Sequence, residues 1–141
     1  FQPSVEPQVT VSANGRYGIE IVGNARRNVI YHTKIGTTAE GTGNLGNALS
    51  GIYLGAGTSA TTIGGDNERF AVLVSNSGGD GVTIESSKRN TIVGNRLLNN
   101  LGYGLQARGN CAGTIVRGNA ISGNAQGNVN LTESTGVTYL P

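Results

Sequence analysis

Tryptophan and methionine are absent from this chain, phenylalanine occurs twice, and aromatic residues make up only 5% of it. A core built on bulky side chains is therefore excluded, and the 36% of residues that are hydrophobic suit a thin column of stacked Ile, Leu and Val. Cys111 is the single cysteine, so an internal disulfide framework is excluded as well. His32 is the single histidine, which leaves no His pair for a metal or a proton relay. Ten basic against eight acidic residues give a net charge of +2, too slim an excess to imply a polyanion partner, and no nucleic acid is expected. No stretch approaches the ~20 apolar residues of a membrane span, so membrane insertion is not expected, and no signal peptide is visible. One domain fits 141 residues, and a start at Phe1-Gln2-Pro3 suggests a chain processed or cut from something larger.

What is abundant is glycine, 24 residues of it, together with asparagine at recurring positions. Asn14, Asn47, Asn76, Asn100 and Asn124 stand 33, 29, 24 and 24 residues apart, and repetition at this period marks a solenoid. An apolar-x-apolar trio follows each: Ile19-Glu20-Ile21, Ile52-Tyr53-Leu54, Val82-Thr83-Ile84, Leu105-Gln106-Ala107 and Val129-Asn130-Leu131. Alternation over three residues is a short strand with one buried face. A second apolar element comes at Ile30, Ile63, Ile92 and Val116, and a third at Val11, Ile35, Leu73, Leu97 and Ile121. One coil is thus three short strands joined by bends, with roughly five coils represented. Helix is excluded by the glycines, each unfavourable by about 1 kcal/mol in a helix interior. Antiparallel sandwiches have longer strands and do not place the same polar residue at successive bends. Stacked coils do, because each strand pairs in parallel with its counterpart one turn away, and Asn at a bend accepts left-handed backbone while its amide bonds to the next coil.

The early repeats carry excess chain, placed as loop insertions at 36–46 and 64–72, and such loops commonly form a binding face. Residues 1–8, with Pro3 and Pro7, read as an extended lead-in or cap, and residues 9–141 as the repeat domain, ending in a strand at Val137–Leu140 stopped by Pro141.

Asn90-Thr91-Ile92-Val93-Gly94-Asn95-Arg96-Leu97-Leu98-Asn99-Asn100 and its echo from Thr114 to Asn124 resemble the N-x-I-x-G-N-x-I-x-x-N repeat of right-handed parallel β-helix proteins, the pectate-lyase-like group. The segments Ile35–Asn47 and Gly55–Gly65 are similar to a longer repeat of large secreted bacterial surface proteins of that fold. The resemblance implies an all-β, single-stranded right-handed parallel β-helix at an extracellular, cell-surface or virion-surface location. For function it implies a range: polysaccharide lyases, hydrolases, epimerases, tailspikes and adhesins.

Enzymes of the group use clustered carboxylates with a Lys, Arg, His or Tyr for proton transfer. Here two Asp and six Glu are scattered, and neither the aspartate-rich motif of polygalacturonases nor the Asp-Pro-His motif of alginate epimerases is present, so no catalytic residue is assigned. The candidates are binding residues. Alignment stacks Tyr17, Ser50, Asp80 and Tyr103 along one edge, and Glu20, Tyr53, Thr83, Gln106 and Asn130 along the outward row of the first strand. Tyr rings beside an Asp form a shallow sugar platform, or simply a solvent-facing ladder. Arg108 stacks over Glu85, either to orient a sugar carboxylate or as a surface ion pair worth under ~1 kcal/mol. Asp66 and Glu68, with Asn67 between them, are the candidate Ca²⁺ ligands, against the simpler reading of a solvated bend; no other cofactor is expected. Arg26-Arg27 and Lys88-Arg89 occupy equivalent bends, where a phosphate or sulfate would bridge them, or where charge merely keeps the column soluble. Gly41–Gly46 satisfies G-x-G-x-x-G without the helix that a dinucleotide site requires.

The leading expectation is a noncatalytic structural or binding module of a larger secreted or surface protein, contacting carbohydrate. Two alternatives stay open: a fragment of a polysaccharide-processing enzyme, and a self-assembling element joining copies or neighbouring β-helix domains through its open ends.

Overall fold

The computed structural model describes residues 8–141; the lead-in expected over the first residues lies almost wholly outside them. Thirteen strands follow in chain order among the described residues: β1 (Val9–Val11), β2 (Ile19–Ile21), β3 (Val29–Ile30), β4 (Thr33–Ile35), β5 (Ile52–Leu54), β6 (Thr62–Gly64), β7 (Leu73–Ser75), β8 (Val82–Glu85), β9 (Thr91–Val93), β10 (Arg96–Leu98), β11 (Tyr103–Arg117), β12 (Ala120–Ser122) and β13 (Gly127–Leu140). Every pairing between them is parallel. One face is the row β1-β4-β7-β10-β12, and the other two run β2-β5-β8-β11 and β3-β6-β9-β11. In the last coils pairing continues through the bend between those two faces, so β11 and β13 each run across both, with left-handed glycines at Gly109, Gly113 and Gly136 and irregular register near Gln106–Arg108 and Asn110–Thr114.

The repeat period sets what is buried. Ile52, Val82 and Leu105 stack in one column, Leu54 and Ile84 in a second, Ile63, Ile92 and Val116 in a third, all without solvent exposure. In the remaining face the register corrects the sequence reading by one residue. Val74, and not Leu73, pairs with Ile35 and Leu97 and is fully buried, whereas Leu73 pairs with Lys34 and Arg96 on the outer side.

The same one-residue shift moves Asn76 out of the asparagine column. Asn100 Oδ1 accepts the N–H of Ser77, so Ser77 holds the ladder position. Asn76 instead takes the left-handed slot just before it (φ 59°), where Ala13 (56°), Asn99 (58°) and Gly123 (69°) also sit, and its Nδ2 donates to the Gly36 carbonyl. Asn suits both slots, so composition alone does not separate them. The true ladder works as a clamp. Asn100 Nδ2 donates to the Val74 carbonyl, its N–H donates to Asn124 Oδ1, and Asn124 Nδ2 donates to the Leu97 carbonyl. Asn47 does the same for Asn14 and Val11. Two more ladders run up the other bends, Thr61–Asn90–Thr114 and Val72–Asn95–Asn119. Close approach of the next coil and of these amides explains the glycines that open the first strand: a Cβ on Gly81 would stand 2.5 Å from the Gly104 carbonyl oxygen and 2.9 Å from Asn100 Nδ2, and one on Gly104 would strike Ile121 Cγ2 and stand 2.8 Å from Asn124 Nδ2.

Asn100→Ala leaves the Ser77 N–H buried without its acceptor and takes the Nδ2 donor from the Val74 carbonyl, and is expected to lower unfolding free energy by about 2 kcal/mol. Asn76→Gly keeps the left-handed bend and is expected to change it by less than about 1 kcal/mol. Urea denaturation of both variants checks the assignment, and equal losses would contradict it.

Candidate functional site

On the outer side of the second face, the residues expected in one row do stack in it: Glu20, Tyr53, Thr83, Gln106 and Asn130 are successive register partners. Tyr17 joins them from the neighbouring edge. Its ring stacks on Tyr53 with centroids 4.6 Å apart and planes 18° from parallel, and the Arg16 guanidinium lies 5.5 Å from the Tyr17 centroid. Tyr53 has Glu20 as its register partner, so Tyr17 reaches it from a different row. Tyr17 covers one face of Tyr53. Toward the other side the row drops to Thr83, which is small and only 4% exposed, before rising again at Gln106.

That drop makes a notch of about 350 Å³, with Thr83 as its floor, Tyr53 and Glu85 on one side and Gln106 and Arg108 on the other. The floor is held rigidly. Thr83 Oγ1 donates to Asp80 Oδ2 at 2.8 Å and shares a 2.7 Å hydrogen bond with Ser50 Oγ, while Asp80 Oδ1 accepts the N–H of Tyr103 at 2.9 Å. Both oxygens of Asp80, buried at 8% exposure, are thus committed to the scaffold, and Glu85 is the carboxylate that faces the notch from its rim. The expected Glu85–Arg108 ion pair does not form although the two residues are register partners. Glu85 Oε2 accepts the Tyr53 hydroxyl at 3.2 Å, and Arg108 Nη2 donates to Gln106 Oε1 at 2.7 Å. Burial first, then the charge of Glu85 and its hydrogen bond, push the Tyr53 phenol above its ordinary value.

A profile of the right-handed β-helix region matches residues 5–140, nearly the whole chain. The chain belongs to the right-handed β-helix family. Neither a curated protein nor a solved structure matches it.

For a β-helix of this kind the notch brings together Tyr17, Tyr53, Asp80, Glu85 and Arg108 of the residues singled out in the sequence. It does not include Tyr103, which lends the site a backbone N–H while its ring lies beside Gly127. Sequence alignment also missed the side walls, Leu49, Leu101 and Gln126, which occupy the bend just ahead of the strand-opening glycines. Comparing that bend across coils would have shown two leucines left exposed there.

The two insertions contribute nothing to the notch, contrary to expectation. Loop 36–46 folds back on itself, with Thr37 bridging Asn44 and Thr38 N–H donating to the Gly43 carbonyl. The second insertion is shorter than expected, because Gly64 stays in β6 and Val72 is fully buried. It holds a 3-10 turn at Glu68–Phe70 that Asn67 caps, its Oδ1 accepting the Arg69 N–H. Arg117 pairs with both oxygens of Asp66, at 2.7 and 3.2 Å, and this guanidinium holds the Asp66 carboxyl below its usual range. Glu68 is exposed in the turn, and the described residues contain no group of three or more His, Cys, Asp or Glu placed to hold a metal ion. His32 takes the left-handed slot of Gly94 and Gly118 (φ 51°, 69° and 63°), and its Nδ1 lies 3.0 Å from the Arg69 carbonyl oxygen, tying this loop to the column.

The raised Tyr53 value carries a sign. The folded chain favours the neutral phenol, so this contribution to stability is full below about pH 10 and is lost as pH rises through the folded value. In a ¹³C-tyrosine NMR titration Tyr53 should deprotonate above the ordinary tyrosine range. Glu85→Gln should bring its midpoint down, leaving the part due to burial; an unmoved midpoint would mean that the Glu85 contact is not made in solution.

Proposed function

We propose that this β-helix is a noncatalytic binding module of a larger surface protein, and that it holds one sugar residue of a glycan in the notch beside Tyr53. The observation that carries the reading is the interrupted row: Tyr53, backed by the Tyr17 ring, lines the notch one coil from its small, rigid floor at Thr83. Two coil spacings, ~9.6 Å, separate Tyr53 from Gln106, enough for a pyranose ring to lie on the tyrosine. A sugar presents an apolar C–H face to such a ring, and its hydroxyls then meet Glu85 as acceptor and Arg108 and Gln106 as donors. Binding without turnover is favoured by the state of the carboxylates. General acid/base hydrolysis needs two that act on the substrate, and of the two that line the notch Asp80 has each oxygen held by a scaffold donor, the Thr83 hydroxyl and the Tyr103 N–H.

A glycan array should find ligands for the full chain, and Tyr53→Ala should weaken the best of them about tenfold, the equivalent of ~1.4 kcal/mol. Tyr17→Ala, which leaves Tyr53 unsupported, should weaken it less. Neither loss should accompany any release of shortened or unsaturated product. An affinity within twofold of the parent in Tyr53→Ala would sink the proposal, and turnover abolished by Glu85→Gln would establish the enzyme reading in its place.

A further inference from the structure

A second groove, of about 480 Å³, opens at the bend beyond the second face, and its chemistry is different. Isolated parallel bridges align Arg26 with Ser59 and Ser59 with Lys88, so three successive coils present a long cation, a small hydroxyl residue and a long cation in one row. Arg89 adds a third cation from the adjacent left-handed position (φ 55°). Thr58, Ser86 and Asn110 complete the polar lining, and Asn110 Oδ1 accepts the Ala112 N–H, which leaves its Nδ2 group as a donor. No carboxylate lines this groove, and none of its three cations takes part in an ion pair among the described residues.

That segregation is not a consequence of composition. Ten basic and eight acidic residues could neutralise one another almost completely, and Arg16 and Arg117 do find carboxylates. Three like charges around one concavity repel, and the repulsion is relieved by a bound anion. The dimensions favour a compact one. Arg26 and Lys88 start two coil spacings apart, ~9.6 Å, and Ser59 is too short to fill the gap, so both side chains can reach one group lying over it. A tetrahedral oxyanion offers oxygens in several directions at once, which suits an arginine fork, an ammonium and a hydroxyl converging from three sides.

We propose that the Arg26–Ser59–Lys88 bend, with Arg89, is a binding site for a phosphate or sulfate monoester. The site is independent of the sugar notch: the two share no residue and differ in charge.

Titration of the full chain with inorganic sulfate, inorganic phosphate, glucose 6-sulfate and glucose 6-phosphate at low ionic strength tests it. Saturable binding is expected, with chemical-shift changes at the Ser59 and Ser86 amides. Lys88→Gln should weaken it at least fivefold and Arg26→Gln/Lys88→Gln more than tenfold, whereas Arg96→Gln, an exposed cation elsewhere on the column, should stay within twofold. All three positions are solvent-facing, so the variants fold, and a urea midpoint equal to the parent's confirms it. Tightening of glucose 6-phosphate as pH rises through about 6, where its second proton leaves, would name a phosphate ester as the ligand. Equal or tighter binding of glucose 6-sulfate, flat in pH, would name a sulfate ester. Equal effects of Lys88→Gln and Arg96→Gln, or binding seen only with long polyanions, would overturn the proposal by reducing the groove to diffuse positive charge.

Discussion

The bends of this column leave backbone groups that the strand ladders cannot satisfy, and at most of them a side chain one coil away takes up the N–H that remains. Asn100 is representative: its Oδ1 takes an N–H from the preceding coil, its Nδ2 gives to a carbonyl of that coil, and its own N–H is taken by the Asn of the next. A buried donor or acceptor left alone is unfavourable by about 1–3 kcal/mol, so each clamp adds directly to the stability of the column, and it lapses where Thr61 and Ser77 hold the ladder position with hydroxyls that bond nothing. Once the clamps recur, the parallel register is fixed. Equivalent residues must then lie above one another, and the apolar columns and the outward rows follow together.

This is why so much of the fold was legible in the sequence and why the errors are small and local. The asparagines announce the period because the clamp demands an amide. Ile52, Val82 and Leu105, or Ile63, Ile92 and Val116, then align without ambiguity. The misreading at Asn76 and Leu73 arose where an insertion precedes the strand and two adjacent slots both welcome Asn, one for its amide and one for its tolerance of left-handed backbone. The other two ladders are less regular in sequence, because threonines flank Asn90 in one and the other begins at Val72, which contributes only a main-chain N–H.

Site geometry was less legible, for a different reason. Register says which residues are neighbours but not which partner a long side chain chooses. Glu85 and Arg108 are aligned and of opposite charge, yet the Tyr53 hydroxyl and the Gln106 amide lie within reach of each, and an exposed pair gains too little from Coulomb attraction to refuse them. The Tyr17–Tyr53 stack joins two positions in different rows, so a column-by-column comparison could not reveal it. The insertions attracted attention by their length, but Arg117–Asp66 and His32–Arg69 spend their polar groups on fastening one of them to the column.

Both candidate sites obey one rule that belongs to stacked coils. A row of equal side chains gives a flat ridge, since each fills its own ~4.8 Å of height. A concavity appears where a small residue stands between two long ones, and its height is then two coil spacings whatever the surrounding sequence. Tyr53–Thr83–Gln106 meets the condition with an aromatic wall, and Arg26–Ser59–Lys88 meets it with cationic walls. The depth comes from the small residue and the chemistry from its two neighbours, and those neighbours lie outside the asparagine clamps, although Thr83 itself ties its coil to Ser50 of the coil before. Such a column can therefore change what it binds by substituting the long residues on either side of the small one while its fold stays constant, and the interruptions in a row, more than the length of any loop, are where binding chemistry can be placed.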